Sequence, residues 1–247
     1  MAQLEEKLLL ARLEDLEKGA ERGKKPCFSR FLDPAGLALF QNHMHPHTPF
    51  MVWGGHDDSE RKIVGFFPDF MDPEKTTFPI RALRLVASEE LEHRTVLGSV
   101  MGLGIERNLI GDIAMEETGP VIFVCDSICD YLQMNLTKAG RLRLRVAEAD
   151  LNDLCLLPRQ FIEIGGTVAS LRLDCVLGLF TGVSRSGAEE LLKKEMVSLN
   201  HVVCTRGAVT VSEGDVLSVR RYGRAEVAEI LGETKKGRIR INLKKYI

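Results

Sequence analysis

Between residues 79 and 149 the hydrophobic pattern changes period in an order that few folds accept. "PIRALRLVAS" (79–88) alternates apolar and polar residues, as a strand with one buried face does. "EELEHRTVLGSVMGLG" (89–104) has helical spacing, with Ser88 placed to cap its start and glycines to close its end. "LIGDIAMEE" (109–117) and "GPVIFVC" (119–125) return to strand character on either side of Thr118-Gly119. "DSICDYLQMNLTKAG" (126–140) reads as a second helix with Gly140 just past its end. "RLRLRVAEA" (141–149) alternates again. The order is strand, helix, strand, strand, helix, strand.

That order is the split βαβ pattern of ferredoxin-like domains, expected here over residues 75–150. Many such domains bind RNA through aromatics on their two central strands. The third strand here carries one Phe and no Lys/Arg-Gly-Phe pattern, which argues against base stacking on the sheet. Arg141, Arg143 and Arg145 share one face of the last strand, as solvated arginines commonly do. Ahead of this domain, residues 3–22 have helical spacing, with Leu4, Leu8, Ala11 and Leu16 flanked by Leu9 and Leu13. Asp33-Pro34 starts a short helix to His43. "PFMVWGG" and "RKIVGFFP" then flank a polar turn as a hairpin. Pro68, Pro73 and Pro79 mark a boundary near residue 75. Residues 151–171 read as a connector with one short strand and a bend at Gly165-Gly166. The expected class is α+β: an N-terminal α/β region (1–74), the βαββαβ domain, the connector, and a small C-terminal domain (172–247).

Charge singles out that last segment. The 247-residue chain has a net charge of −2. Residues 1–74 hold nine Lys and Arg against thirteen Asp and Glu, whereas residues 172–247 hold fourteen against nine. A basic end on an acidic body suggests an anionic partner met by that end. No apolar run approaches the ~20 residues that span a bilayer, and the charged N-terminus lacks a signal-peptide core. A cytoplasmic protein without a membrane segment is expected. The six cysteines form no Cys-x-x-Cys pair and read as free, mostly buried thiols.

The basic end has its own order. "LRLDCVLGLF" places Leu173, Val176, Leu177 and Phe180 on one helical face, and Thr181-Gly182 breaks it. Ser184 or Ser186 caps the next helix, and Ser186-x-x-Glu189 has capping-box spacing. Ala188, Leu191 and Leu192 form its apolar side. Short strands follow, with a tight turn at Glu213-Gly214-Asp215. The tail "ETKKGRIRINLKKYI" alternates Ile239, Ile241 and Leu243 with basic residues.

"LRLDCVL", "SRSGAEELL", "VSLN" and "EGDVLSVRR" resemble the S-four RNA-binding domain, or alpha-L motif, over residues 172–222. The resemblance implies that the second helix and its neighbouring loops meet RNA. The expected contacts are Ser184, Arg185, Ser186, Lys193, Lys194, Asn200, Arg206, Arg220 and Arg221, with Lys235 and Lys236 from the basic tail. One position departs from the pattern: Glu195 stands where the family usually has Gly. A left-handed backbone there would cost about 1 kcal/mol. Across nearly the whole chain, "GGHDDSERKIVGFFP", "LGSVMGLGIERNLIGDI", "NLTKAGR", "GTVASLRLD" and "KKGRIRI" resemble YlmH-type bacterial proteins. This resemblance implies a non-catalytic factor; a monomer without cofactor or metal is expected. It would bind ribosomal RNA or tRNA on the large ribosomal subunit and support nascent-chain tailing on stalled peptidyl-tRNA in ribosome quality control.

The alternative is an RNA-modifying enzyme of pseudouridine-synthase type that uses the S-four domain for delivery. Its candidate groups are weak. His43, His45 and His47 alternate, but Pro46 and Pro49 make their segment a loop. "GLGIERNLIGD" follows a helix, whereas a phosphate cradle lies between strand and helix. Cys125, Asp126 and Asp130 have no evident base partner.

Overall fold

The computed structural model describes residues 2–246. The chain divides into two compact units, residues 1–157 and 158–247. Helices are interspersed with strands along the chain, and the strands pair antiparallel, as in the α+β class.

The first unit opens with α1 (Ala2–Arg22). Its buried side is Leu13 and Ala20, with Leu9, Leu10 and Leu16 partly covered. Leu4 and Leu8 are exposed, so the inward stripe lies one residue away from the expected one. The run Leu9, Leu13, Leu16, Ala20 keeps the three-and-four spacing of a helix face and places Gly23 past its end. Strand β1 (Cys27–Phe28) follows, then α2 (Pro34–His43). The Asp33 carboxylate caps α2 by accepting from the Gly36 N–H at 2.8 Å. The hairpin of β2 (Phe50–Trp53) and β3 (Ile63–Phe66) joins β1 in an antiparallel sheet of order β1-β3-β2.

The expected order of the middle region is present. It runs β4 (Ile80–Val86), α3 (His93–Met101), β5 (Ile110–Glu116), β6 (Gly119–Cys125), α4 (Cys129–Asn135) and β9 (Arg145–Ala149), with a small hairpin of β7 (Lys138–Ala139) and β8 (Leu142–Arg143) before β9. The sheet order is β5-β6-β4-β9, antiparallel throughout. Both helices are shorter than their sequences suggest. Helix α3 starts only at His93, and Ser88 does not cap it, because Leu91 is drawn into the core in a bend. Helix α4 stops at Asn135, because Leu136 and Ala139 turn inward to the same core. Gly140, at φ +57°, therefore belongs to the β7–β8 turn rather than to a helix end.

One face of this sheet packs on its helices, through Leu83, Leu85, Ile122 and Val124 against Val96, Val100 and Leu132. The other face is covered by the N-terminal region. Ile80, Ala82, Val121 and Phe123 pack against Phe31, Ile63, Phe67 and Phe78. Phe123 is fully buried. Gly111 permits this approach, since a Cβ there would lie 2.7 Å from the Phe31 ring. Residues 1–74 and 75–150 thus share one core, and the break in the chain comes at 157 instead of 75.

The second unit is a six-stranded antiparallel sheet carrying two helices. Its elements are β10 (Phe161–Val168), α5 (Leu173–Thr181), α6 (Arg185–Lys193), β11 (Val197–Leu199), β12 (Val202–Val203), β13 (Val216–Val219), β14 (Gly223–Glu233) and β15 (Ile239–Tyr246). The order is β10-β15-β14-β13-β11-β12. The stretch that reads as a connector supplies β10, paired with β15 along its full length. Gly165-Gly166 does not bend the strand. A Cβ on Gly166 would lie 2.3 Å from Leu179, so this glycine lets α5 settle on the sheet. Leu173, Val176, Leu177 and Phe180 of α5 join Ala188 and Leu192 of α6 over Val197, Leu217, Ile241 and Leu243.

Candidate nucleic-acid interface

Helix α5 ends at Gly182, whose φ of +73° closes the helix through an N–H to the Gly178 carbonyl. Two residues later Ser184 caps α6, its hydroxyl accepting from the Gly187 N–H at 3.2 Å. Ser186 lies inside the first turn, 2.9 Å from the Ser184 hydroxyl, so the cap falls at the first of the two candidate serines. The capping box read from Ser186 and Glu189 therefore does not form as the helix start.

The start of α6 is electrically built. Asp174, in the first turn of α5, is 2% exposed, and the Arg172 guanidinium forks onto it at 3.0 and 2.6 Å. Arg185 points a second guanidinium at the same carboxylate, 4.0 Å away. The hydrogen bonds from Arg172 hold the Asp174 carboxyl below its ordinary value, against the opposing effect of burial. Gly207 walls the site, its backbone carbonyl accepting from the Asp174 N–H at 3.1 Å. Two arginines are thus gathered around the buried Asp174 beside the N-terminal end of α6, where the helix dipole favours an anion. Arg172 is the residue that sequence reasoning missed. The signal is the Arg-x-Asp spacing at the start of α5, within the run "LRLDCVL".

The outer face of α6 is not uniformly basic. Arg185, Glu189 and Lys193 follow at four-residue spacing, with Arg185 3.9 Å from Glu189. In the neighbouring row Lys194 pairs with Glu190 at 3.0 Å. These exposed pairs contribute little to stability, but they put acids at the middle of the helix. Among the described residues, Lys193 at its C-terminal end is the cation of α6 that faces solvent without a carboxylate.

At the far end, Glu195 has φ +53°. The Met196 N–H reaches the Leu191 carbonyl and the Glu195 N–H the Leu192 carbonyl, both at 3.0 Å, which closes the helix as a Schellman turn. The left-handed backbone considered for this position is present, with Glu as its residue. The Arg220 N–H bonds the Met196 carbonyl at 2.9 Å, so the exposed Arg220-Arg221 turn lies beside Lys193 and Lys194. Arg221 is itself left-handed, at φ +75°.

The other expected residues separate from this cluster. Asn200 opens the two-residue β11–β12 turn, and its side-chain amide is engaged by Asp215 at 2.8 Å and the Val216 N–H at 2.9 Å. It shapes the loop. Arg206 is exposed in the loop after β12. Lys235 and Lys236 are exposed at the tip of the β14–β15 hairpin. That tip is at the opposite end of β14 from Arg221, roughly 30 Å along the strand. Arg238 is fixed there by Thr167, through its side chain at 3.0 Å and its carbonyl at 2.7 Å.

The runs in the first unit that invite a chemical reading have architectural partners. In "GGHDDSER", the Arg61 Nε and Arg107 Nη1 both donate to the Ile110 carbonyl, at 2.9 and 2.6 Å. Burial, with Arg61 beside it, pushes Arg107 down to about 10. Asp112 accepts from the backbone of Glu60 and Arg61, and His56 stacks on Phe123 at 4.8 Å. These contacts fasten the hairpin to the sheet. The Cys125 thiol is buried and pushed up to about 11 by that burial. His47 and Thr48 donate backbone N–H groups to Glu17. Among the described residues, no three His, Cys, Asp or Glu side chains converge on a metal position, and no helix is long and apolar enough to cross a membrane.

Fold and site together define an α+β protein with two arginines gathered about a buried carboxylate where its paired helices meet. A family model described as a putative RNA-binding domain in YlmH matches residues 73–153. The protein described as ribosome-associated protein quality control protein P2, from Bacillus subtilis (strain 168), is 35% identical over 196 residues, which covers 78% of this chain and 76% of that protein. The solved structure described as cell division protein ylmH from Streptococcus pneumoniae superposes with a TM-score of 0.51 at 27% identity, over 60% of this chain and 93% of its own. The chain belongs to the YlmH family of RNA-binding proteins.

Proposed function

We propose that this chain is a non-catalytic factor that binds ribosomal RNA or tRNA on the large ribosomal subunit. Its role would lie in ribosome-associated quality control, where it supports tailing of the nascent chain on stalled peptidyl-tRNA. The observation that carries the reading is the pair Arg172 and Arg185 assembled about Asp174 at the open end of α6. Guanidinium groups held in place lose less freedom when they fork onto phosphates. The name of the Bacillus subtilis relative supplies the ribosomal context. In this reading residues 172–222 are an S-four domain and 75–150 a ferredoxin-like one, a view supported by the β5-β6-β4-β9 strand order. The protein would act in the cytoplasm. An RNA-modifying enzyme would need convergent acid and base groups in the first unit. The cleft beside Phe40, Met44, Phe50 and Val52 instead brings His45 as its titratable group.

The test is co-sedimentation with large ribosomal subunits at moderate salt. Arg185→Glu combined with Lys193→Glu is expected to abolish retention. Unchanged retention at equal folded fraction would show that the proposed surface is wrong.

A further inference from the structure

We propose that the first unit carries a second RNA-backbone surface. It lies on the β7–β8 hairpin and the start of β9, not on the face of the four-stranded sheet. The inference rests on the RNA-binding reading above and locates a contact within it.

Exclusion comes first. Sheet-face recognition needs exposed aromatics on the central strands. Here the central strands are β4 and β6, and Ile80, Ala82, Val121 and Phe123 lie under the N-terminal hairpin. The remaining end of that face is strapped by residues 153–157. Arg84 forks onto Glu116 at 2.6 and 3.2 Å, Glu116 accepts the Cys155 N–H at 2.8 Å, and the Leu157 N–H bonds the Met115 carbonyl at 2.7 Å. A base cannot reach it without unpacking the core.

The edge next to it is different. No Asp or Glu occurs from residue 131 to 147, whereas Lys138, Arg141, Arg143 and Arg145 all do, and all four are exposed. Their side chains make no ion pair or hydrogen bond among the described residues. The alternating Leu142, Leu144 and Val146 pack inward, so Arg143 and Arg145 point outward together, with Arg141 exposed in the turn just before them. Successive outward residues on an extended chain are about 6.5 Å apart, a spacing that suits a run of backbone phosphates.

Edge protection is the competing account, because sheets often blunt a free edge with charge. It does not account for the pairing. Lys138 stands directly opposite Arg143 in the two-residue ladder of β7 and β8. Like charges at directly opposed positions destabilise a hairpin, and protection of the β9 edge does not require this pair. The hairpin is nonetheless held firmly. The Gly140 N–H donates to the Ser99 hydroxyl at 3.3 Å, and a Cβ at Gly140 would come within 3.1 Å of Thr95 on α3. Glu148, the first acid after the run, is taken by Arg81 at 3.1 Å. The fold tolerates repulsion and presents it rigidly outward, which fits an anionic partner that relieves it. The partner is an RNA backbone contacted through phosphates, without base readout.

The test uses the full chain, with purified large ribosomal subunits and a short RNA duplex as probes, over a salt series. The variant Arg141→Gln/Arg143→Gln/Arg145→Gln is compared with Arg185→Gln/Lys193→Gln and with a triple Arg→Lys control. Each lost phosphate contact should lower the log-affinity against log-salt slope by about 1. The triple Gln variant is expected to lower it by about 3 on at least one probe, and to weaken binding about equally to duplexes of different sequence. The Lys control should keep the slope. If the triple Gln variant matches the parent on both probes while the Arg185/Lys193 variant weakens, the edge surface is overturned and the functional reading stands. If the parent itself binds neither probe, both fail together. Equal melting temperatures of parent and variants separate lost contact from lost fold.

Discussion

Of the four non-glycine residues that hold left-handed backbone, Glu195 and Arg221 make opposite predictions. Glu195, at φ +53°, closes α6. Replacing it with Gly should stabilise the second unit by about 0.5–1 kcal/mol, read as a raised urea midpoint. RNA affinity should be little changed. Arg221, at φ +75°, combines the same strain with an exposed cation beside Lys193. Arg221→Gly should raise stability by a similar ~1 kcal/mol yet weaken RNA binding. A variant that gained stability and kept full affinity would show that Arg221 touches no RNA. Asp174 gives the pH prediction. Its folded pKa is depressed, so its stabilisation is present above the ordinary carboxylate range near 4 and lost as pH falls through the lower folded value. Asp174→Asn should flatten that acid limb. It should also cost about 1–2 kcal/mol at neutral pH, less than a fully buried pair because Arg172 reaches solvent. The departure at Glu195 could be read from the sequence, because one left-handed position after a helix is a local demand. Arg172 is less legible, because its Arg-x-Asp spacing becomes an ion pair only where the start of α5 turns the two side chains together.

At the level of elements, periodicity located nearly every helix and strand but not their ends. Leu91 and Leu136 show why. Each follows or precedes residues of ordinary helical pattern, and each is buried at the cost of helix length. Burial of a Leu outweighs a few tenths of a kcal/mol per residue of helix propensity. Strand β10 was hidden for the converse reason. Gly165-Gly166 signals a bend unless a neighbouring helix occupies the missing side-chain volume, and Leu179 does. Gly166→Ala is therefore expected to destabilise the second unit by about 1–3 kcal/mol, as a lower urea midpoint. On the buried sheet face, Phe123→Ala should cost about 3–5 kcal/mol. It should speed amide exchange along β4 and β6, with the arginine cluster at α6 unaltered.

At the scale of the whole molecule, net charge misleads. A chain with a sequence pI of about 6.3 would ordinarily be set aside as a nucleic-acid binder, yet its residues 172–247 carry fourteen Lys and Arg against nine Asp and Glu. The contrast between segments was legible in the sequence. Its subdivision was not, since the distance between Arg221 and Lys235 is fixed by the length of β14. The covered sheet face has a practical consequence. A fragment cut to residues 73–153, the bounds of the matching domain, would lose Phe31, Ile63 and Phe67 and uncover Ile80, Val121 and Phe123. Such a fragment should be prone to aggregate. Any affinity it showed for unpaired bases would be an artefact of excision, because the platform it offers is the interior of the intact protein.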